Sequence, residues 1–212
     1  MKSLLSQFVA LTVAFPSVGA QIAIPDAATP VIAVDPVAEK RERALTLGAD
    51  AALDPAAADF VTRAKALCRS ERLLMRAMVS ADGPAVAVEA TGVGAALNQT
   101  LDAVAPYARI ALLGCTRDAN FSIDYYHKVH GRGVTIVGAH TLARREGESA
   151  PGWWTERDDA RAFLRLLSLG RILLDGFTDE IHSPTACGEV FARLAAGGPF
   201  PNVQFDWVKV EG

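Results

Sequence analysis

The sequence predicts an α/β fold built on an open, doubly wound parallel sheet with helices on both faces. Three observations predict it. Apolar runs of strand length recur at residues 31–34, 85–89, 109–114 and 134–138, with amphipathic or Ala-rich helical stretches between them. That alternation produces parallel strands joined by crossover helices. The run Val31-Ile-Ala-Val closes on a single carboxylate, Asp35, and passes directly into a charged helical stretch. Half of the 212 residues are hydrophobic, which suffices for one well-buried domain, or for one domain with a smaller lobe.

In chain order, residues 8–13 read as the first strand and 14–19 as the turn into its helix. The same region also imitates a secretory signal, with Lys2, an apolar stretch over 4–15, and small residues Val18-Gly19-Ala20 before Gln21. The two readings exclude each other, because cleavage would remove the central strand. The strand reading implies a cytoplasmic protein and the signal reading an exported one.

The strand at 31–34 follows. An acidic side chain at the end of the second strand of such a sheet accepts hydrogen bonds from ribose hydroxyls and repels a 2′-phosphate. Asp-Pro is also an ordinary turn opener, so these residues alone fit either role. The helix over 37–47 stops at Gly48, a residue suited to a left-handed cap, and a short strand over 51–53 comes next. Residues 59–78 have a long helical pattern whose apolar face is interrupted by Cys68-Arg-Ser-Glu-Arg, which predicts a break or an insertion. Residues 141–154 are loop-like and carry two of the three tryptophans. Loops of that length beside a sheet are usually lids or contact surfaces. A helix over 158–169 follows, with Ala162, Leu166 and Leu169 on one side and Phe163 and Leu167 beside them. A strand at 178–182, a helix at 185–195 and a final strand at 203–210 complete the chain. These elements divide into a nucleotide-binding domain over 8–176 and a smaller C-terminal segment over 177–212.

The 24 acidic and 21 basic residues are scattered, which suggests neither a nucleic-acid groove nor an acidic tail. Small-molecule partners are expected. Cys68, Cys115 and Cys187 are too far apart for a Cys-x-x-Cys knuckle, and an odd count argues against a disulfide scaffold. No apolar run reaches the roughly 18 residues of a membrane span.

The run Glu89-Ala-Thr-Gly-Val-Gly-Ala-Ala-Leu, then Arg109-Ile-Ala-Leu-Leu-Gly, then Val134-Thr-Ile-Val-Gly-Ala-His, joined to the Asp35 strand and Leu47-Gly-Ala-Asp, resembles one known family over roughly residues 8 to 210. It is the cofactor half, a Rossmann domain, of the zinc-dependent alcohol dehydrogenases of the medium-chain dehydrogenase/reductase superfamily. Gly114-Cys-Thr-Arg and Ile123-Asp-Tyr-Tyr-His-Lys-Val-His-Gly look like a bacterial branch near the sorbitol and threonine dehydrogenases.

The resemblance implies that Asp35 holds the adenosine ribose of NAD, with Lys40 near the same sugar. It sets Thr91 and Gly92 at the end of the fourth strand, and Gly114 at the end of the fifth. Val137, Gly138 and Ala139 then line the nicotinamide. Ligands of an open parallel sheet bind at the carboxyl ends of its strands, where the strand order reverses. Each of these glycines can also be a plain strand-end turn, and Gly114 taken alone reads first as one.

Two departures qualify the resemblance. The family turn Gly-x-Gly-x-x-Gly corresponds here to Ala14-Phe15-Pro16-Ser17-Val18-Gly19, in which only Gly19 remains. Pro16 offers a ring and no N–H where the backbone should approach a pyrophosphate, and Pro25 falls inside the expected first helix, at a cost of about 3 kcal/mol or more unless that helix ends early. A weakened NAD site is expected. The family's catalytic zinc is held by an N-terminal lobe, and this sequence contains no Gly-His-Glu. A substitute site from Cys115, His127, His130 and His140 has suitable chemistry but no pattern that gathers it, so no metal ligand and no catalytic residue is assigned.

These implications describe a truncated zinc-type alcohol dehydrogenase, inactive alone, whose C-terminal segment is a remnant of the catalytic lobe and which can form a homo-oligomer. The alternatives are a non-catalytic binding or oligomerisation module, and an exported protein.

Overall fold

The structure is a computed structural model that describes residues 11–13, 21–22, 30–69, 81–115, 120–140, 142–143, 145–150, 154–174, 176–197 and 201–210. In chain order its strands are β1 (Leu11–Val13), β2 (Gln21–Ile22), β3 (Ile32–Val34), β4 (Ala51–Leu53), β5 (Val86–Glu89), β6 (Arg109–Leu112), β7 (Thr135–Gly138), β8 (Ile172–Leu173), β9 (Glu180–His182) and β10 (Val203–Phe205). The α-helices are α1 (Ala38–Thr46), α2 (Phe60–Leu67), α3 (Gly94–Ala103), α4 (Glu156–Ser168) and α5 (Cys187–Ala195). Two compact units result: Met1–Ala14 with Ile24–Ala162, and Phe15–Ala23 with Phe163–Gly212.

The first unit holds a six-stranded sheet in the order β4-β3-β1-β5-β6-β7, all pairs parallel. From the central strand the chain moves outward through β3 and β4, returns, and moves outward the other way through β5, β6 and β7. Right-handed crossovers running in opposite directions lay their helices on opposite faces. The doubly wound α/β fold expected from the sequence is therefore the one observed.

The α1 helix shows how local sequence sets an element. Its apolar residues contribute no fully buried side chain, so its ends matter. Gly48 takes φ 104°, its N–H donates to Leu45 O at 3.1 Å, and the N–H of Ala49 donates to Ala44 O at 2.9 Å. This is the paired closure of a left-handed helix end that the sequence predicted. The α2 helix stops at Leu67, where Cys68 Sγ is buried, so the described part of the long 59–78 pattern does break at Cys68.

Ile32, Val34, Leu53, Phe60, Ala64, Leu97, Leu101, Val104 and Ile110 form the core, with α2 packed on α3. Arg132 closes the C-terminal end of α3, donating to Leu101 O at 2.5 Å and to Val104 O. A cation there complements the partial negative charge of the helix end.

The second unit pairs β2 with β8 antiparallel and β9 with β10 parallel. The final strand is shorter than expected: β10 ends at Phe205, and Asp206 accepts the Val208 N–H at 3.0 Å to start a 3₁₀ turn over Trp207–Lys209. A local carboxylate-to-backbone bond of this kind competes with the ladder. At the start of β9, Glu180 is bound by Arg193 Nη1 and Nη2 and by His182 Nε2 at 2.7 Å. Among the described residues, no helix is long and apolar enough to cross a membrane.

Candidate functional site

The carboxyl ends of β3, β5, β6 and β7 lie along one edge of the sheet, on either side of the β1 end where the strand order reverses. Register fixes their alignment. Val13 pairs with Val34 on one side and with Glu89 on the other, Glu89 pairs with Leu112, and Leu112 pairs with Gly138.

Asp35 follows Val34 and is only 6% exposed. Its N–H donates to Leu53 O at 3.2 Å, and its Oδ1 accepts the Val37 N–H at 2.8 Å. Arg41 Nη1 donates to Asp35 O at 2.7 Å and lies 3.4 Å from the Asp54 carboxylate. One carboxylate oxygen is thus anchored by the turn, while Oδ2 takes no hydrogen bond from the described residues. A fixed acceptor of that kind fits a pair of ribose hydroxyls. The Oδ1 bond to the Val37 N–H is also that of an ordinary Asx turn, and Pro36 and Val37 beside it are exposed. Lys40 stands in the first turn of α1, half-buried.

At the end of β5 the turn is built by a residue the sequence reading did not assign. Glu89 is 3% exposed, and its Oε1 accepts the Thr91 N–H at 2.7 Å and the Thr91 hydroxyl. The Gly92 N–H lies 3.1 Å from both carboxylate oxygens. Gly92 takes φ 69°, which this turn requires. A signal for Glu89 was present: Ala85-Val-Ala-Val-Glu89 repeats the form of Val31-Ile-Ala-Val-Asp35, an apolar strand closed by one acid.

Gly114 sits against that turn. A Cβ there would fall 2.1 Å from Gly92 N and 2.7 Å from the carbonyl carbons of Ala90 and Thr91. The Leu113 and Gly114 N–H groups share Glu89 O, at 2.8 and 2.9 Å. Gly114 is therefore required for close approach of two strand ends. Val137 and Gly138 close β7, and the Ala139 N–H donates to Leu112 O at 2.9 Å. A Cβ on Gly138 would meet nothing within 4 Å. Gly19, the Ala14-to-Gly19 turn and Pro25 lie outside the described residues.

The residues weighed as a substitute metal site do not come together. His127 Nδ1 bonds the Asp124 carboxylate at 2.9 Å, and the His127 backbone N–H, together with that side-chain contact, holds the Asp124 carboxyl below its ordinary value. His127 and His130 flank Tyr126 on a π-helical turn, and His140 Nδ1 accepts the Leu142 N–H at 3.1 Å. Among the described residues, no three His, Cys, Asp or Glu side chains gather as a metal site.

An open parallel sheet with this strand order, and with its turns at the carboxyl edge, is a Rossmann-type cofactor domain. A family model described as "Zinc-binding dehydrogenase" matches residues 17–152. The chain belongs to that family. It is 29% identical over 180 residues to L-threonine 3-dehydrogenase of Pyrococcus abyssi, covering 84% of this chain and 45% of that protein. Among solved structures, benzyl alcohol dehydrogenase from Acinetobacter calcoaceticus superposes with a TM-score of 0.67 at 21% identity, over 95% of this chain and 50% of that one. A zinc-binding dehydrogenase from Sinorhizobium meliloti 1021, bound to NADP, superposes with a TM-score of 0.66 at 21% identity, over 95% and 53%. The chain spans about half the length of the relatives it matches.

Proposed function

We propose that this chain supplies the NAD-binding half of an oxidoreductase that moves a hydride between an alcohol and NAD. The observation that carries the reading is Asp35, a buried carboxylate at the end of the strand flanking β1, with one oxygen locked by Val37 N–H and the other bonded by none of the described residues. When bound, the nicotinamide would give or take the hydride. The residues of the chain orient it. Asp35 would hold the adenosine ribose with Lys40 beside it, and the Thr91–Gly92 turn, Gly114 and the Val137–Ala139 strand end would line the second nucleotide. Family membership supports the activity class, and the proposal assigns no step to zinc because the described residues offer no ligand set.

A second reading, a binding module without redox chemistry, is favoured by the sequence Ala14-Phe15-Pro16-Ser17-Val18-Gly19, whose Pro16 has no N–H to donate to a phosphate. Calorimetric titration of the purified chain with NAD and NADH separates the two. Saturable one-to-one binding is expected. A folded chain that gives no binding heat with either nucleotide would leave only the second reading.

A further inference from the structure

We propose that Glu89 is a positioning residue for the nicotinamide half of the bound dinucleotide, its buried carboxylate fixing the Thr91–Gly92 turn on which that half rests. The inference deepens the reading above and depends on it. A carboxylate removed from water is costly unless its oxygens are satisfied. Here the compensation comes from the turn itself: the Thr91 N–H, the Thr91 hydroxyl and the Gly92 N–H all point at Glu89. No cationic side chain among the described residues pairs with it. The constraint extends further, because the Thr91 hydroxyl oxygen accepts the Val93 N–H at 3.0 Å where α3 begins. From the other side, Gly114 allows the β6 end to close on Gly92. The turn is held at both faces.

Its location gives this rigidity a use. In a doubly wound sheet each half serves one nucleotide, with the dinucleotide lying across the strand-order reversal. Asp35 belongs to the β3 side of β1 and Glu89 to the β5 side: Val34, the residue before Asp35, and Glu89 itself pair with the same Val13. Loosening the Glu89 turn should therefore weaken recognition of the second nucleotide and spare the adenosine half.

The test titrates wild type, Glu89→Gln and Asp35→Asn with NAD and with AMP by calorimetry, with folding followed by circular dichroism and thermal unfolding. Glu89→Gln keeps the shape but turns one acceptor into a donor facing N–H groups. It is expected to lower NAD affinity about tenfold while AMP affinity stays within about twofold, whereas Asp35→Asn weakens both. NAD binding equal to wild type, or equal proportional loss of NAD and AMP, would overturn the inference. Should Glu89→Gln fail to fold, Thr91→Val is expected to show the same selective loss and Thr91→Ser to restore affinity. Equal affinities across that pair overturn the inference as well. Wild type that binds AMP and NAD equally tightly overturns this inference alone, and wild type that binds neither overturns the nucleotide reading together with it.

Discussion

Gly114 and Gly92 belong to different strand ends, yet a single methyl group on the first would stand 2.1 Å from the backbone nitrogen of the second. The contact is backbone against backbone, so no side chain can swing aside to relieve it. The prediction is that Gly114→Ala forces β5 and β6 apart at their ends and destabilises the chain by roughly 1–3 kcal/mol, the usual range for overpacking. Gly138→Ala, where the added carbon meets nothing within 4 Å, serves as the control. Urea unfolding of both variants checks this, and equal stabilities would contradict it.

The strand framework was legible because the strands fall in largely apolar runs of four to six residues between helical patterns, and burial on two faces favours such runs. Asp35 was legible for the same reason: one charge at the end of Val-Ile-Ala-Val stands out. Glu89 is less legible although Ala-Val-Ala-Val-Glu has the same form, because its partners are the N–H groups and the Thr91 hydroxyl of a turn whose geometry no pattern shows. The role of Gly114 was hidden too, since its constraint comes from residues more than twenty positions away. The last strand is shorter than its apolar alternation suggests because Asp206 diverts the backbone into a 3₁₀ turn.

The three thiols differ in surroundings. Cys68 is 1% exposed and burial pushes its thiol up to about 11, whereas Cys115 and Cys187 are exposed. Reaction needs the thiolate and access to it. At pH 8 a disulfide reagent should therefore modify two thiols promptly and the third only on unfolding. Prompt reaction of all three in the native protein would contradict the burial of Cys68.

Glu180 bonds to Arg193 and to His182, which hold its carboxyl down at about 2 from an ordinary 4.5. The unfolded chain takes up this proton near 4.5 while the folded chain resists until about 2. The contribution is thus complete above about pH 4.5 and fades as pH falls toward 2. The stability gap between wild type and Glu180→Gln in urea unfolding should narrow over that range, and a gap independent of pH would contradict the pairing.

Restoring the glycine turn by Ala14→Gly with Pro16→Gly should tighten NAD binding. Each recovered backbone bond to a charged phosphate contributes roughly 1.5–3 kcal/mol, or about ten- to a hundredfold in affinity. A repaired chain that folds normally and still ignores NAD would remove the cofactor claim and leave the fold.

The central claim is that Asp35 reads the ribose of a dinucleotide. The direct measurement is the ratio of NAD to NADP affinity for wild type and Asp35→Asn, by calorimetry at fixed ionic strength. A buried carboxylate facing a 2′-phosphate predicts that wild type binds NAD at least about tenfold tighter, and that Asp35→Asn narrows the ratio chiefly by weakening NAD. Wild-type binding of NADP as tight as or tighter than NAD, or a ratio unchanged by Asp35→Asn, would contradict it.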